Sequence, residues 1–428
     1  MLSDKWCKSK LLSKKSFILT FNEKFIFRKK HPCVKSIKIT YIPNPKNHVT
    51  DITENIIVIT YFNKIFPINY NFEYNKITFR LNSFKIKKAL LQFPEGLQKY
   101  GILLYSFLKK SCINSKSFLI SSRTTFGACC VEDFLGKFIG TCIVLHYGHS
   151  CLFPILDCII PLMYVFLEIR FDYNFITDVI KEKSIFLDFS FFLFSTIQYA
   201  SILKNIKFSL SLLKIPVYIT SNAPLSPGEV LGCTCLEINT VSNIIFVGEG
   251  RFHLEATIIS NSFCRFFQFN PFSQHFTVVD FNTSFTCIQR QKEILKSFFG
   301  RMNIGVIIGT LGRQGNNSII KKIQELIYKK KFDSILLSTT EISSDNLEII
   351  GHKIIDMWVQ VVCPRLSIDW GKCFIKPLLN TYEFGVLLGF NKWKINGYPM
   401  DYYSYRGGYW TNYFESQSVF NMKKKLLI

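Results

Sequence analysis

The sequence predicts an α/β protein: three related small parallel-sheet α/β modules arranged around a pseudo-threefold axis, with irregular N- and C-terminal extensions. Three observations carry this reading. From about residue 84 onward, short runs rich in β-branched and aromatic residues alternate with longer helical stretches. Each run ends in glycine, proline or small polar residues, as strands leading into turns do. The chain has 428 residues, 48% hydrophobic and 19% charged, so a sizeable core is available, and a disordered or fibrous protein is excluded.

Taken in order, residues 1–84 form an N-terminal extension whose first 50 or so are lysine-rich and aperiodic and are expected to be mobile. The first module, 85–198, opens with a strand at 86–93, a helix at 96–110 and a strand at 117–122. Its apolar windows at 151–169 and 185–197 are broken by Pro154, Asp157, Pro161, Glu168 and Asp188. Neither offers the roughly 20 apolar residues a bilayer requires, so both read as buried strands. The second module, 199–300, has strands at 214–220 and 243–248, and the third, 301–397, has strands at 303–308, 333–338 and 357–362. Residues 398–428, with tyrosines, glycines and a closing Lys-Lys-Lys, read as an irregular C-terminal tail.

The formal charge of +22 would ordinarily suggest a polyanionic partner. Yet 41 of the 52 basic residues are lysine, and Ile, Asn, Phe and Tyr are abundant, which is the skew an AT-rich coding sequence produces whatever the function. Direct nucleic-acid binding is therefore not expected. Lysines at 5, 8, 10, 14 and 15 interrupt any secretory leader, and a cytoplasmic protein without membrane association is expected. Fourteen cysteines in that setting point to thiol or metal chemistry, with most of them inert core residues.

Three cysteines follow a predicted strand by a turn: Cys129, Cys233 and Cys363, separated by 104 and 130 residues. Each spacing approximates one small α/β unit. In open α/β sheets ligands sit beyond the carboxyl ends of the strands, so three such ends could bring three thiolates together. Three thiolates can hold a [4Fe-4S] cluster and leave its fourth iron open to an outside ligand. Spacing alone favours three unrelated core thiols, because no C-x-x-C pair occurs in the chain.

The surrounding motifs are more specific. They are Asn-Tyr-Asn-Phe-Glu (69–73), Leu-Gln-Phe-Pro-Glu-Gly-Leu (91–97), Phe-Gly-Ala-Cys-Cys-Val-Glu-Asp (126–133) and His-Tyr-Gly-His-Ser-Cys-Leu (146–152). Further on come Gly-Glu-Val-Leu-Gly-Cys-Thr (228–234), Val-Gly-Glu-Gly-Arg-Phe-His-Leu-Glu-Ala (247–256), Gly-Thr-Leu-Gly-Arg-Gln-Gly (309–315) and Cys-Pro-Arg-Leu-Ser-Ile-Asp-Trp-Gly (363–371). With these ordered motifs the chain resembles the diphthamide-synthesis family from about residue 69 to 411.

The resemblance implies that Cys129, Cys233 and Cys363 bind a [4Fe-4S] cluster and that S-adenosylmethionine ligates its open iron. One electron would then cleave the sulfur–Cγ bond. The 3-amino-3-carboxypropyl group would be transferred to C2 of a histidine in translation elongation factor 2. It implies a homologous second subunit in a heterodimer and a small iron protein as electron donor. A non-catalytic scaffold subunit is the alternative, against which Cys233 and the 365–370 stretch speak. The chain departs from the family at Phe126, where tyrosine is common, at the additional Cys235, and at residues 380–383, which lack a proline before Tyr382.

Gln92 and Glu95, at the end of the first strand, are candidates for binding an adenosyl or amino-acid group, or for turn capping. Arg365 and Asp369 are candidate substrate-binding residues or could order the Cys363 loop through a charge-assisted hydrogen bond. His146 and His149 read as polar turn residues, and 309–315 as a turn lacking the ending of a nucleotide-hydrolysing loop. Cys130, adjacent to Cys129, would point away from it on an extended chain.

Overall fold

The computed structural model describes residues 66–411, except 113, 116, 124–126, 151, 154, 185–189, 222–224, 280–282, 298–299, 395–396, 401, 404–407 and 409. The stretch 1–50 expected to be mobile, Phe126 and the last part of the expected tail, 412–428, lie outside the described residues. Among the described residues no helix is long and apolar enough to cross a membrane.

After β1 (Tyr70–Asn71), the first sheet comprises β2 (Lys88–Gln92), β3 (Ser117–Ile120), β4 (Ile143–Tyr147) and β5 (Leu162–Val165), all parallel, in the order β3-β2-β4-β5. β6 (Glu168–Ile169) returns to pair antiparallel with β1. The second sheet is built from β7 (Phe191–Ser195), β8 (Val217–Tyr218), β9 (Asn243–Val247), β10 (Arg265–Asn270) and β11 (His275–Val279), in the order β11-β10-β9-β7-β8. The third is β12 (Asn303–Gly309), β13 (Asp333–Thr339), β14 (Met357–Val361) and β15 (Leu378–Asn380), parallel, in the order β13-β12-β14-β15. Numbered within its own module, each sheet runs second, first, third, fourth strand, the doubly wound arrangement with a switch point beside the first strand. The central strands β4, β9 and β14 are buried along their whole length, as strands covered by helices on both faces must be.

The helices are α1 (Tyr74–Ser83), α2 (Glu95–Ser111), α3 (Asp133–Phe138), α4 (Asn174–Ser184), α5 (Ala200–Leu212), α6 (Phe252–Ser260), α7 (Thr283–Lys296), α8 (Asn317–Lys329), α9 (Ser344–Gly351), α10 (Pro364–Trp370) and α11 (Thr381–Leu387). α8 illustrates how sequence sets them. Asn316 caps it by accepting from the Ser318 and Ile319 amides, and Ile319, Ile320, Ile323 and Ile327 line its buried stripe. Modules one and two share a continuous apolar core that includes Leu91, Leu145, Leu193 and Ile245, whereas module three has its own around Val306, Ile323 and Val359.

Two expectations are corrected. Phe191–Ser195 was assigned to the first module, bounded at 198, but pairs with β8 and β9, so the second module begins before residue 191. A buried apolar run reads alike on either side of a boundary; only its pairing assigns it. The second sheet is not wholly parallel, because β11 pairs antiparallel with β10. The described part of the tail is irregular, as the sequence predicts, and it is also buried. Tyr398, Met400, Tyr402 and Tyr403 are buried, and they pack into two clusters that lie between modules.

Candidate functional site

Cys129 lies in the loop between β3 and α3, after a turn closed by the Cys130 amide donating to the Gly127 carbonyl (2.9 Å). That turn brings both thiols of the pair to one side. The Gln314 side-chain amide lies 3.6 Å from the Cys129 sulfur and 3.9 Å from that of Cys130, so the expectation that Cys130 points away fails.

Cys233 sits with Gly232 in a tight reversal closed by Leu231 and Thr234, whose amides donate to each other's carbonyls at 2.9 and 3.3 Å. A Cβ at Gly232 would stand 1.8 Å from the Phe252 ring, so only glycine fits there. Cys235, the additional thiol, turns away into the second module. It accepts from the Asn261 amide at 3.6 Å, and burial pushes its thiol up to about 12.

Cys363 is the residue before α10, with Pro364 opening the helix, where its missing amide hydrogen costs nothing. Gln360 fixes the bend by donating to the Cys363 carbonyl (2.9 Å) and to Ser367 Oγ (3.0 Å) while accepting from the Val362 amide (2.7 Å). Burial raises the Cys363 thiol above its ordinary range, partly offset by the Arg365 and Leu366 amides and the Arg365 charge.

The three loops meet. Cys129 is held well above its usual range first by the hydrogen-bonded Cys130 thiol and by burial, and then by Cys363 and Cys233, which are near enough to act on it electrostatically. Tyr403 feels Cys129, Cys233 and Cys130 besides its own burial, and Tyr402 feels Cys363. Among the described residues no three His, Cys, Asp or Glu side chains are gathered tightly enough to hold a single metal ion. A multi-iron cluster makes a different demand, since each thiolate takes its own iron and the sulfurs stand farther apart. Soft thiols, those of Cys129 and Cys233 packed against an apolar cluster that includes Ala128, Leu231 and Tyr403, suit iron–sulfur ligation and no hard cation.

Two arginines of module three hold the other loops. Arg313 pairs with the buried Asp133 carboxylate through Nε (2.9 Å) and a terminal nitrogen, and lies 3.9 Å over the Phe134 ring. Its amide donates to the Cys129 carbonyl (2.8 Å), and its own carbonyl accepts from the Tyr403 hydroxyl (3.0 Å). Arg365, 2% exposed, donates to Asp369 (2.9 Å), Glu255 (2.8 Å) and the carbonyls of Gly232 (3.1 Å) and Phe252 (2.7 Å). Its expected link to Asp369 is therefore present, and with it a clamp on the Cys233 turn that sequence reasoning missed. The 309–315 motif was read only as a turn. Nothing local signals that Arg313 meets an aspartate 180 residues away.

Gln92, fully buried at the end of β2, accepts from the Glu132 amide (3.3 Å) and points its own amide at the Cys130 carbonyl (3.5 Å). Because its oxygen also faces His146 Nδ1 at 3.2 Å, that nitrogen carries the hydrogen. Burial holds His146 well below its ordinary range, hence neutral. Glu95 is exposed on the first turn of α2 and takes no part in this network. The absent proline is accounted for: the Thr381 amide donates to the Tyr402 hydroxyl (3.3 Å), a bond proline could not make.

Comparison with known proteins agrees with this architecture. The family model for diphthamide synthesis proteins matches residues 93–399. The chain is 37% identical, over 82% of its length and 75% of the relative's, to 2-(3-amino-3-carboxypropyl)histidine synthase subunit 1 of Dictyostelium discoideum. To the protein of that name from Encephalitozoon cuniculi it is 38% identical, over 81% of this chain and 95% of the other. The fold is similar to the crystal structure of Dph2 from Pyrococcus horikoshii with a 4Fe-4S cluster, at a TM-score of 0.63 and 24% identity, over 77% of this chain and 95% of that one. Matched across most of its described length in sequence and in fold, the chain belongs to the diphthamide synthesis protein family.

Proposed function

We propose that the protein is a transferase, the catalytic subunit 1 of a 2-(3-amino-3-carboxypropyl)histidine synthase. In this reading Cys129, Cys233 and Cys363 hold a [4Fe-4S] cluster, and the 3-amino-3-carboxypropyl group of S-adenosylmethionine is transferred to C2 of a histidine in elongation factor 2. This is the first step of diphthamide biosynthesis. The observation that supports the reading is that the loops of Cys129 and Cys233 are both bonded to module three, through Arg313 and through Arg365 beside Cys363, with Cys233 and Cys363 acting electrostatically on Cys129. The names of relatives above 30% identity point the same way.

When bound, a [4Fe-4S] cluster supplies a single electron and an open iron at which the sulfonium can be held and its sulfur–Cγ bond broken. The chain's own residues supply placement. Arg313 and Arg365 fix the loops of Cys129 and Cys233, and Gln360 fixes that of Cys363; a misplacement of about 1 Å can cost about 10²-fold in rate. Tyr402 and Tyr403 wall the centre and exclude water, so that a reactive carbon fragment is kept for the histidine. Gln92 and Asp369 brace the walls around the S-adenosylmethionine site, with Asp369 acting through Arg365. The protein would act in the cytoplasm with a homologous second subunit and a small iron protein as electron donor.

Anaerobically purified protein should be brown, and the electron paramagnetic resonance spectrum of its reduced form should change when S-adenosylmethionine is added. Cys233→Ala should lose iron and turnover. A colourless wild-type protein that takes up no iron on anaerobic reconstitution would refute the reading, and undiminished turnover by Cys233→Ala in the presence of partner would favour a scaffold.

A further inference from the structure

Gln314 belongs to none of the functions assigned so far, and its surroundings are unusual for a buried amide. The residue is 9% exposed, and its side-chain nitrogen faces two sulfurs, Cys129 Sγ at 3.6 Å and Cys130 Sγ at 3.9 Å. Its backbone is fixed on both sides. The Arg313 amide is bonded to the Cys129 carbonyl, and the Gln314 amide donates to the Leu311 carbonyl (3.3 Å). Gly312, at φ 56°, brings the loop so close to the pair that a Cβ there would stand 2.6 Å from the Cys130 Cα. Gly315 folds the other end back, where a Cβ would stand 2.2 Å from the Gly309 carbonyl oxygen. The amide is thus presented to the thiol pair by a loop that cannot easily retreat from it.

We propose that Gln314 is a positioning residue for the cluster: its amide N–H bonds the Cys129 sulfur and raises the reduction potential. The proposal rests on the function proposed above. Its physical basis is that an N–H donated to an anionic sulfur is a charge-assisted bond, and that it favours the reduced cluster, which carries the greater negative charge. Partners outside the ligand shell are known levers on both affinity and potential. The donor comes from module three and the sulfur from module one, so the potential depends on the two modules being docked.

The test uses the full chain, purified anaerobically as wild type, Gln314→Met and Gln314→Glu. Methionine keeps the length without an N–H donor. Glutamate keeps the shape, accepts where glutamine donates, and adds negative charge. Iron content, thermal midpoint and a redox titration followed by electron paramagnetic resonance are read for each. Both variants should titrate at more negative potential than wild type, Gln314→Glu further than Gln314→Met, with an altered line shape of the reduced cluster. Loss of iron from a variant whose thermal midpoint is unchanged supports the same role, because the sulfur is then no longer held. Iron-loaded variants with wild-type potential and line shape overturn the inference while leaving the proposed function standing. A wild-type chain that binds no iron–sulfur cluster overturns that function and this inference with it.

Discussion

The loops of Cys129 and Cys233 and the loop of Cys363 solve the same problem in different ways. Cys129 and Cys233 each follow the second strand of their module, β3 and β8, in hydrogen-bonded turns that no helix continues at the cysteine. Cys363 follows the third strand of its module, β14, and precedes a helix that braces it through Gln360 and Ser367. The three cysteines therefore do not obey the repeat that the sheets obey, which is why the second spacing along the chain is the longer one. The difference shows which module organises the centre. Module three carries a self-supporting cysteine and also sends Arg313 and Arg365 to hold the other two. A repeat need place only its strand ends on one side, since long-range ion pairs can position the turns that follow them.

That asymmetry can be broken experimentally. Arg365→Ala should have the largest effect. It leaves Asp369 without its cation and Glu255 with Arg251 alone, and frees the Gly232 and Phe252 carbonyls, so several hydrogen bonds to a charged group are lost together, which should cost about 3–5 kcal/mol. Chemical denaturation should show it, together with loss of iron binding by the reconstituted protein. Arg313→Ala strips the fully buried Asp133 of its cation and should cost about 2–3 kcal/mol, the scale of a lost hydrogen bond to a charged group. If instead it matches or exceeds Arg365→Ala, the ranking of the two clamps is wrong.

Gly312→Ala attacks the docking of module three on Cys129 without touching a charge. The added methyl meets the Cys130 backbone at a left-handed φ, for about 1–3 kcal/mol. The same change at Gly300, also left-handed but with open space around its Cβ, separates strain from collision. Thr381→Pro should have the smallest effect. Proline is accepted at the first position of α11, so only the bond to the Tyr402 hydroxyl is lost, about 1 kcal/mol. A thermal melt that falls by far more would mean that Tyr402 is held through Thr381 and not by its burial.

Much of the fold was legible beforehand because strands and helices are local patterns. The runs at 243–248, 303–308 and 333–338 became β9, β12 and β13 within a residue. The short β15 and the hairpin of β10 and β11 escaped notice: three residues give too little periodicity, and Phe267, Phe269 and Phe276 are as compatible with a helix as with a strand. The site divides in the same way. Cys363 with its following proline announces a helix start, and the link from Arg365 to Asp369 is a same-face helical pair. The partners of Arg313, Gln314, Tyr402 and Tyr403 have no such signature. No pattern of short period encodes contacts spanning 21 residues for Tyr402 and 90 to 185 for the others.

The amino-acid sequence by itself determined the α/β class, the positions of the principal strands, and the family, through motifs whose order along the chain cannot arise from composition. Only the tertiary structure decided that β7 belongs to the second sheet, that the described part of the tail lies buried between the modules, and that two arginines of module three hold the cysteine loops of the others. The physical reason is one of range. Secondary structure is set by neighbours a few residues apart, whereas a buried guanidinium finds its carboxylate only after separate sheets have packed and water has been driven from between them.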